Sequence, residues 1–275
     1  MRWLLPISVV CILGAVAGGC RSDASSLREL AEAHWRKGDY DNAIRINRQL
    51  YARDPAGKNA AQALLTIGTI YYRNLRQIRK GIEVYNQVTQ EFAGGPEEYQ
   101  ARILLAEIYS NEVVDLTQAI SEYDRLLSWP KLENRAEILF RRADAYFKQE
   151  DFDRALRELQ QLEASGITGH LADQVALKIG NIYQIQKRFE EAVGPFQKVT
   201  NSPCLECRRS AVLNLMETYE NLYDFDKAIE AVRKLDTLPE GEARIQKEIS
   251  RLEQKRRRLS SPVPQTDGSS KKARR

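Results

Sequence analysis

The sequence has 275 residues, of which 43% are hydrophobic and 29% are charged, and it is poor in Gly (15) and Pro (9). This composition favours amphipathic helices over a strand-rich sandwich, which needs many turn residues. The formal charge is +4, but residues 255–275 carry eight Lys or Arg and one Asp, so the rest of the chain is mildly acidic. Composition therefore excludes a general nucleic-acid-binding surface on the body of the protein.

The first predicted element is an export signal over residues 1–19. Arg2 is followed by an apolar run over residues 3–16, which is too short to span a bilayer as a helix. Ala17-Gly18-Gly19-Cys20 resembles the lipobox of bacterial lipoproteins, in which the Cys20 thiol is acylated and becomes the new N-terminus. Ala15-Val16-Ala17 also fits an ordinary A-x-A cleavage site, so a soluble periplasmic protein is the alternative.

The cysteine count favours lipidation. Loss of Cys11 with the signal and acylation of Cys20 leave Cys204 and Cys207 as an even pair in an oxidising compartment. Residues 20–26 would then be a tether. The lipoprotein resemblance implies the periplasmic face of the outer membrane, because Arg21 follows Cys20 where Asp would signal retention in the inner membrane.

Residues 27–239 contain six copies of one helical pattern. In each copy a small residue is followed three places later by an aromatic residue or His, then by a second small residue and usually by a bulky one four residues further on. The first small positions, about 37 residues apart, are Ala31, Gly68, Ala106, Ala143, Gly180 and, less well matched, Met216. The bulky positions are Tyr85, Tyr123, Leu159, Phe196 and Val232, with Asn47 as the exception.

This spacing puts the pattern on one face of each of two helices, and the small residues allow the helix backbones to approach closely. Asp39, Asp151 and Asp224 are predicted to cap the second helix of their hairpins. The pattern resembles the tetratricopeptide repeat, W-x2-L-G-x2-Y, A-x3-F, P. The resemblance implies an all-α fold, a right-handed α-solenoid of about six helical hairpins. The longer period is similar to that of outer-membrane assembly lipoproteins of the BamD type, or of the periplasmic coordinator that works with the Tol–Pal system.

The C-terminal part is predicted to be a capping helix over residues 240–259 and a disordered basic tail over residues 260–275. The cluster of four basic residues at 255–258 fits a solvated tail, with anionic lipid headgroups or acidic partners as the alternative.

The pattern of chemistry-bearing residues argues against an enzyme. Cys204 and Cys207 fit a local disulfide, with redox or metal chemistry as the alternative; we expect no metal, no cofactor and no small-molecule substrate. His34 fills an aromatic slot of the repeat and is predicted to pack there. His170 follows a Gly-rich turn and is predicted to be solvated.

In the repeat family, the first helix of each hairpin lines a concave groove that binds peptides or partner helices. The resemblance places Trp35, Thr69, Tyr72, Glu107, Asp144, Phe147, Asn181 and Gln184 in that groove. The acids among these positions and their neighbours suggest a partner segment with basic and apolar character. The sequence therefore predicts a non-enzymatic scaffold for other envelope proteins, anchored to the membrane by lipid and binding no nucleic acid. Outer-membrane protein assembly is the leading role, and coordination of wall synthesis, division or secretion is the alternative.

Overall fold

A computed structural model describes residues 16–129, 132–234 and 242–260. These residues form thirteen α-helices and no β-strand. The helices are α1 Val16–Arg36, α2 Tyr40–Arg53, α3 Lys58–Thr69, α4 Ile78–Glu91, α5 Pro96–Asn111, α6 Leu116–Leu127, α7 Arg135–Lys148, α8 Phe152–Ala164, α9 Gly169–Ile185, α10 Phe189–Val199, α11 Leu205–Asn221, α12 Phe225–Arg233 and α13 Glu242–Ser260. The predicted all-α fold class, with six hairpins and a C-terminal helix, is confirmed for this part of the chain.

The chain divides into two compact units between Glu133 and Asn134. The first unit holds hairpins α1–α2, α3–α4 and α5–α6, and the second holds α7–α8, α9–α10, α11–α12 and the final helix α13. Within each unit every helix packs against its neighbours along the chain, and each unit has its own apolar core. A single hairpin cannot bury its own apolar face, so stacking on neighbouring hairpins provides most of the stability.

The small positions of the repeat lie where two helices of one hairpin touch. A Cβ atom added to Gly68 would come within 2.6 Å of the Tyr85 ring, and one added to Gly180 within 2.5 Å of the Phe196 ring. Both rings are fully buried. The small residue of the first helix therefore makes room for the bulky residue of the second, as the sequence pattern predicts.

The hairpin turns share one backbone conformation. The residue with positive φ comes directly before the N-cap of the second helix, and these residues are Gly38, Arg76, Val114, Glu150, Lys187 and Tyr223. The predicted caps at Asp39, Asp151 and Asp224 are confirmed, since each carboxylate accepts a backbone N–H three residues on. Asp115 caps α6 in the same way and was not anticipated.

Several predicted segments lie partly or wholly outside the described residues. The export signal is described only from Val16, where α1 begins, and the predicted tether at residues 20–26 lies within that helix. Residues 261–275 of the predicted basic tail are outside the described part. No helix among the described residues is long and apolar enough to cross a membrane.

Candidate partner-binding groove

The eight predicted groove residues lie on the first helices of their hairpins, or on the π-helical segment Ile70–Asn74 that extends α3. All eight are partly exposed rather than buried or fully solvated. Each unit has its own set of first helices: α1, α3 and α5 in the first unit, and α7, α9 and α11 in the second.

In the first unit, Trp35 links two neighbouring first helices, and Thr69 links the two helices of its own hairpin. Trp35 Nε1 donates to Asn74 Oδ1 at 3.0 Å. The Thr69 hydroxyl donates to the Leu65 carbonyl and accepts from the Tyr85 hydroxyl at 3.2 Å. Burial, together with the carboxylates of Glu112 and Glu107, raises the pKa of Tyr72, so this phenol stays protonated.

In the second unit, a cation fills the space between two groove residues. Lys178 Nζ lies 2.6 Å from Asp144 Oδ1 and 4.4 Å from the centroid of the Phe147 ring. Lys148 reaches the other carboxylate oxygen of Asp144 at 3.2 Å. Burial alone would raise the pKa of Asp144, but the two Lys residues hold it below its ordinary value. The negative charge of this acid is therefore neutralised within the chain.

Hydrogen bonds of the Asn181 and Gln184 side chains join the first helices α9 and α11. Asn214 Nδ2 donates to Asn181 Oδ1 at 3.0 Å, and Gln184 Nε2 donates to Thr218 Oγ1 at 2.9 Å. Gln184 also donates to the Asn214 carbonyl. These predicted groove residues thus hold neighbouring repeats together, which limits what they can offer a partner.

One cavity of the first unit lies beside Asn47. At the equivalent position the other five hairpins carry bulky buried side chains, whereas Asn47 is small and only 4% exposed. Beside it is a cavity of about 400 Å³ between α1, α2 and α3. Asn47 lines this cavity and has less bulk than the residues at the equivalent positions. The sequence pattern marked Asn47 as an exception but gave no sign of a cavity.

The cavity has apolar walls and a polar floor and rim. Its lining includes Ala31, Trp35, Leu50 and Ala63, together with Arg28, Glu32, Arg36, Asn47, Asn59, Gln62 and Thr66. Asn47 Nδ2 donates to the Ala43 carbonyl, and Oδ1 accepts no hydrogen bond from the described residues. A few polar groups in an apolar concavity are typical of a site that binds a side chain or small ligand.

The two histidines make contacts that the sequence did not predict. His34 does not simply pack: its Nδ1 lies 2.7 Å from Asp39 Oδ2, so it supports the carboxylate that caps α2. Hydrogen bonds from Asn42 and His34 lower the pKa of Asp39. His170 is exposed, as predicted, but it is the second residue of α9 and its Nδ1 lies 3.4 Å from Cys207 Sγ. Cys204 and Cys207 are joined in a disulfide.

The basic cluster 255–258 lies on α13, and several of its cations are paired. Arg251 makes two hydrogen bonds to the Glu220 carboxylate and Lys255 makes a third, at 2.7–2.8 Å. Arg256 pairs with Asp226. Much of this charge is therefore used to attach the C-terminal helix to α11 and α12, which weakens the expectation of a freely solvated cluster.

Arg102 forms a buried ion network that sequence reasoning missed. Its guanidinium contacts Glu98 at 2.6 Å and Glu122 at 2.8 Å, and all three side chains are at most 11% exposed. Glu122 also contacts the exposed Arg125. The four-residue spacing of Glu98 and Arg102 is visible in the sequence, but the pairing with Glu122 depends on how α5 and α6 pack.

These observations define the class: an all-helical protein with the hairpins, turns and helix packing of tetratricopeptide repeats. The sequence profile of the family described as tetratricopeptide repeat matches residues 13–58 and 140–203. No curated protein matches the sequence significantly. The profile and the solved structures described below support the tetratricopeptide repeat family; they do not distinguish a lipoprotein subtype.

Several solved structures share the fold. A tetratricopeptide repeat protein from Parabacteroides merdae is 17% identical, with a TM-score of 0.58 over 86% of this chain and 89% of that one. PilW, a widely conserved type IV pilus biogenesis factor, is 15% identical, with a TM-score of 0.53 over 83% and 97%. YrrB, a TPR protein with an unusual peptide-binding site, is 14% identical, with a TM-score of 0.53 over 74% and 97%. At these identities the likeness concerns the fold.

Proposed function

We propose that this protein is a non-enzymatic adaptor that binds a segment of another protein along the first helices of its first unit. The observation that carries the proposal is the cavity at Asn47, at a position where the other hairpins carry a bulkier buried side chain. Tetratricopeptide repeat proteins are generally non-catalytic scaffolds, and the fold is consistent with such an adaptor. The name of YrrB records a peptide-binding site on the same fold.

The cavity suits one large side chain of the partner. Its apolar walls would bury an aromatic ring, and Asn47 Oδ1 on its floor would accept a hydrogen bond from a Tyr hydroxyl or a Trp indole. A rigid aromatic anchor in a preformed pocket is the usual centre of a binding hot spot. Because Lys178 and Lys148 neutralise Asp144, this acid has less to offer a basic partner, which favours a main contact in the first unit.

The proposed location is the periplasmic face of the outer membrane, with Cys20 acylated. The support is the lipobox resemblance at residues 17–20 and the even pair of cysteines that lipidation leaves. Replacement of Cys20 by Ala should move the protein from the membrane fraction to the soluble periplasm. Retention of Cys20→Ala in membranes would argue for another anchor.

Within the envelope, we favour a scaffold in outer-membrane protein assembly, as the resemblance to BamD-type lipoproteins implies. Coordination of wall synthesis, division or secretion is the second candidate. The structural match to PilW gives some support to the second candidate role, because the name of PilW records a role in type IV pilus biogenesis. The match extends over 83% of this chain. The two roles differ in their partners, which are β-barrel proteins in the first and wall enzymes or secretion components in the second.

Site-specific photocrosslinking tests the proposal. A photoreactive residue at Gln62, which is exposed at the cavity rim, should capture a defined envelope protein in cells. The matched control is Gln90, also exposed in the first unit but on the second helix of its hairpin and outside the cavity. Capture of a β-barrel protein or its accessory lipoproteins supports assembly, and capture of wall or secretion components supports coordination. Equal crosslinking from Gln62 and Gln90 would contradict partner binding at the Asn47 cavity.

A further inference from the structure

Three side chains with metal-binding atoms meet where α9 and α11 begin. His170 Nδ1, Cys204 Sγ and Cys207 Sγ all lie within 4.8 Å of one another. His170 and Cys207 are 37 residues apart, which is one repeat period, so they occupy matching places in neighbouring hairpins. His170 is exposed, Cys204 is partly buried and Cys207 is 5% exposed, so the cluster is open on one side.

The two cysteines are held firmly by their surroundings. Cys204 is the N-cap of α11, and its Sγ accepts the backbone N–H of Cys207 at 3.2 Å. The backbone N–H of Cys204 donates to Ser202 Oγ, which in turn donates to the Asp173 carboxylate on α9. Cys207 packs into a small apolar cluster between α9, α10 and α11. Reduction of the disulfide would therefore leave both sulfurs close to their present positions.

We propose that the reduced form of this cluster binds one Zn²⁺ ion through Cys204 Sγ, Cys207 Sγ and His170 Nδ1, and that the disulfide closes the site. Zn–S bonds of about 2.3 Å and Zn–N bonds of about 2.0 Å in a tetrahedron put S and N about 3.5 Å apart. The distance from His170 Nδ1 to Cys207 Sγ is already 3.4 Å. The two sulfurs must separate to about 3.8 Å, and His170 Nδ1, which lies within 4.8 Å of Cys204 Sγ, must come to about 3.5 Å from it. The 5.2 Å between the two Cα atoms suits shared ligation.

The chemistry balances with a dithiol as the reductant. The dithiol gives two electrons and two protons to the Cys204–Cys207 disulfide and itself becomes a disulfide. Zn²⁺ then displaces one proton from each protein thiol and takes the lone pair of His170 Nδ1. A disulfide oxidant reverses the sequence: it takes two electrons from the two thiolates and two protons from water and becomes a dithiol, while the Cys204–Cys207 bond forms again and the ion is released. Three protein ligands leave the fourth position open to water or to a donor from a partner.

One feature distinguishes this site from an accidental cluster. The ligands come from two neighbouring repeats, so bound Zn²⁺ would link the start of α9 to the start of α11. The site also lies apart from the Asn47 cavity, which is in the first unit while the cluster is in the second. Failure of either proposal leaves the other intact.

Cobalt titration of the full-length chain tests the site. In a Cys11→Ser/Cys20→Ser background, Cys204 and Cys207 are the only thiols, and a phosphine reductant opens the disulfide without itself supplying thiols. The reduced protein should bind one Co²⁺ per chain, with thiolate charge-transfer bands and the visible absorption of a tetrahedral ion, and Zn²⁺ should displace it. The oxidised protein should show neither.

Two histidine variants test whether His170 is the third ligand of the Zn²⁺ ion. Replacement of His170 by Ala should weaken Zn²⁺ binding at least about tenfold, measured by competition with a chromophoric chelator. His34→Ala is the matched control, since His34 is the other histidine of the chain, and it should not change Zn²⁺ affinity. Circular dichroism verifies that each variant is folded. Zn²⁺ binding that survives His170→Ala unchanged, or that persists in Cys204→Ser/Cys207→Ser, would overturn the site.

Discussion

At the scale of single residues, the contact between Gly180 and Phe196 shows how the small and bulky positions of the repeat fit together. A methyl group at Gly180 would lie 2.5 Å from a ring that is fully buried and has no space to move into. Gly68 and Tyr85 repeat the arrangement in the first unit. Packing of the hairpin therefore depends both on the absence of a side chain at the Gly of the first helix and on the aromatic ring of the second helix.

Replacement of Gly180 by Ala should lower the free energy of unfolding by about 1–3 kcal/mol, because the added methyl overpacks the contact. Chemical denaturation measures this directly. In a Phe196→Leu background the same Ala should cost nothing or stabilise by up to about 1 kcal/mol, because Ala is the better helix former. An equal loss of unfolding free energy in the two backgrounds would show that Gly180 does not pack against the Phe196 ring.

Arg102 makes a second prediction at this scale. Replacement by Met leaves Glu98 and Glu122 buried without their shared cation, so we expect a loss of about 3–5 kcal/mol in unfolding free energy. Arg125→Met is the control, because Arg125 is 57% exposed and its contact with Glu122 should contribute less than about 1 kcal/mol. Similar losses for both variants would contradict a buried network centred on Arg102.

At the scale of elements, the first helices are joined mainly by side chains about one repeat apart. Lys178 with Asp144, Gln184 with Thr218, and Trp35 with Asn74 are separated by 34–39 residues. The repeat period identified the hairpins and their caps at Asp39, Asp151 and Asp224. It did not reveal these partners, because their pairing depends on how one hairpin is rotated against the next, which small residues permit but do not determine.

Attachment of α13 to the sixth hairpin depends on Glu220. Hydrogen bonds from Arg251 and Lys255 lower the pKa of the Glu220 carboxyl from 4.5 to about 2. The unfolded chain takes up this proton first, so the stabilisation is complete above about pH 4.5 and is lost as the pH falls toward 2. Protonation of Glu220 therefore loosens the C-terminal helix in acid.

Replacement of Glu220 by Gln should lower the unfolding free energy by about 2 kcal/mol at pH 7 and by progressively less as the pH falls below 4.5. Urea unfolding at pH 7, 5 and 3 measures the trend. Glu217→Gln, at an exposed position of the same helix, should change stability by less than about 0.5 kcal/mol at each pH. A cost for Glu220→Gln that does not vary with pH would mean that the ion pairs with α13 do not form.

At the scale of the whole molecule, the six hairpins could be predicted because each copy repeats the same small and bulky positions. The candidate site could be predicted only in outline. The first helices were identified, but Asn181 and Gln184 turned out to be occupied by contacts within the chain. Asn47 drew attention only as an exception, and nothing in the sequence could show whether neighbouring side chains would fill the space that it leaves.

The central claim is that this space binds a partner, and Asn47→Phe tests it most directly. The ring should fill part of the cavity, as Tyr85 and Phe196 fill the equivalent positions, and it removes a buried polar group, so we expect unchanged or higher thermal stability. In the same variant, crosslinking from Gln62 to the partner should fall at least tenfold, while Asn47→Ala, which leaves the cavity open, should retain most of the crosslink. Undiminished crosslinking from a folded Asn47→Phe protein would contradict the account and place partner binding elsewhere on the chain.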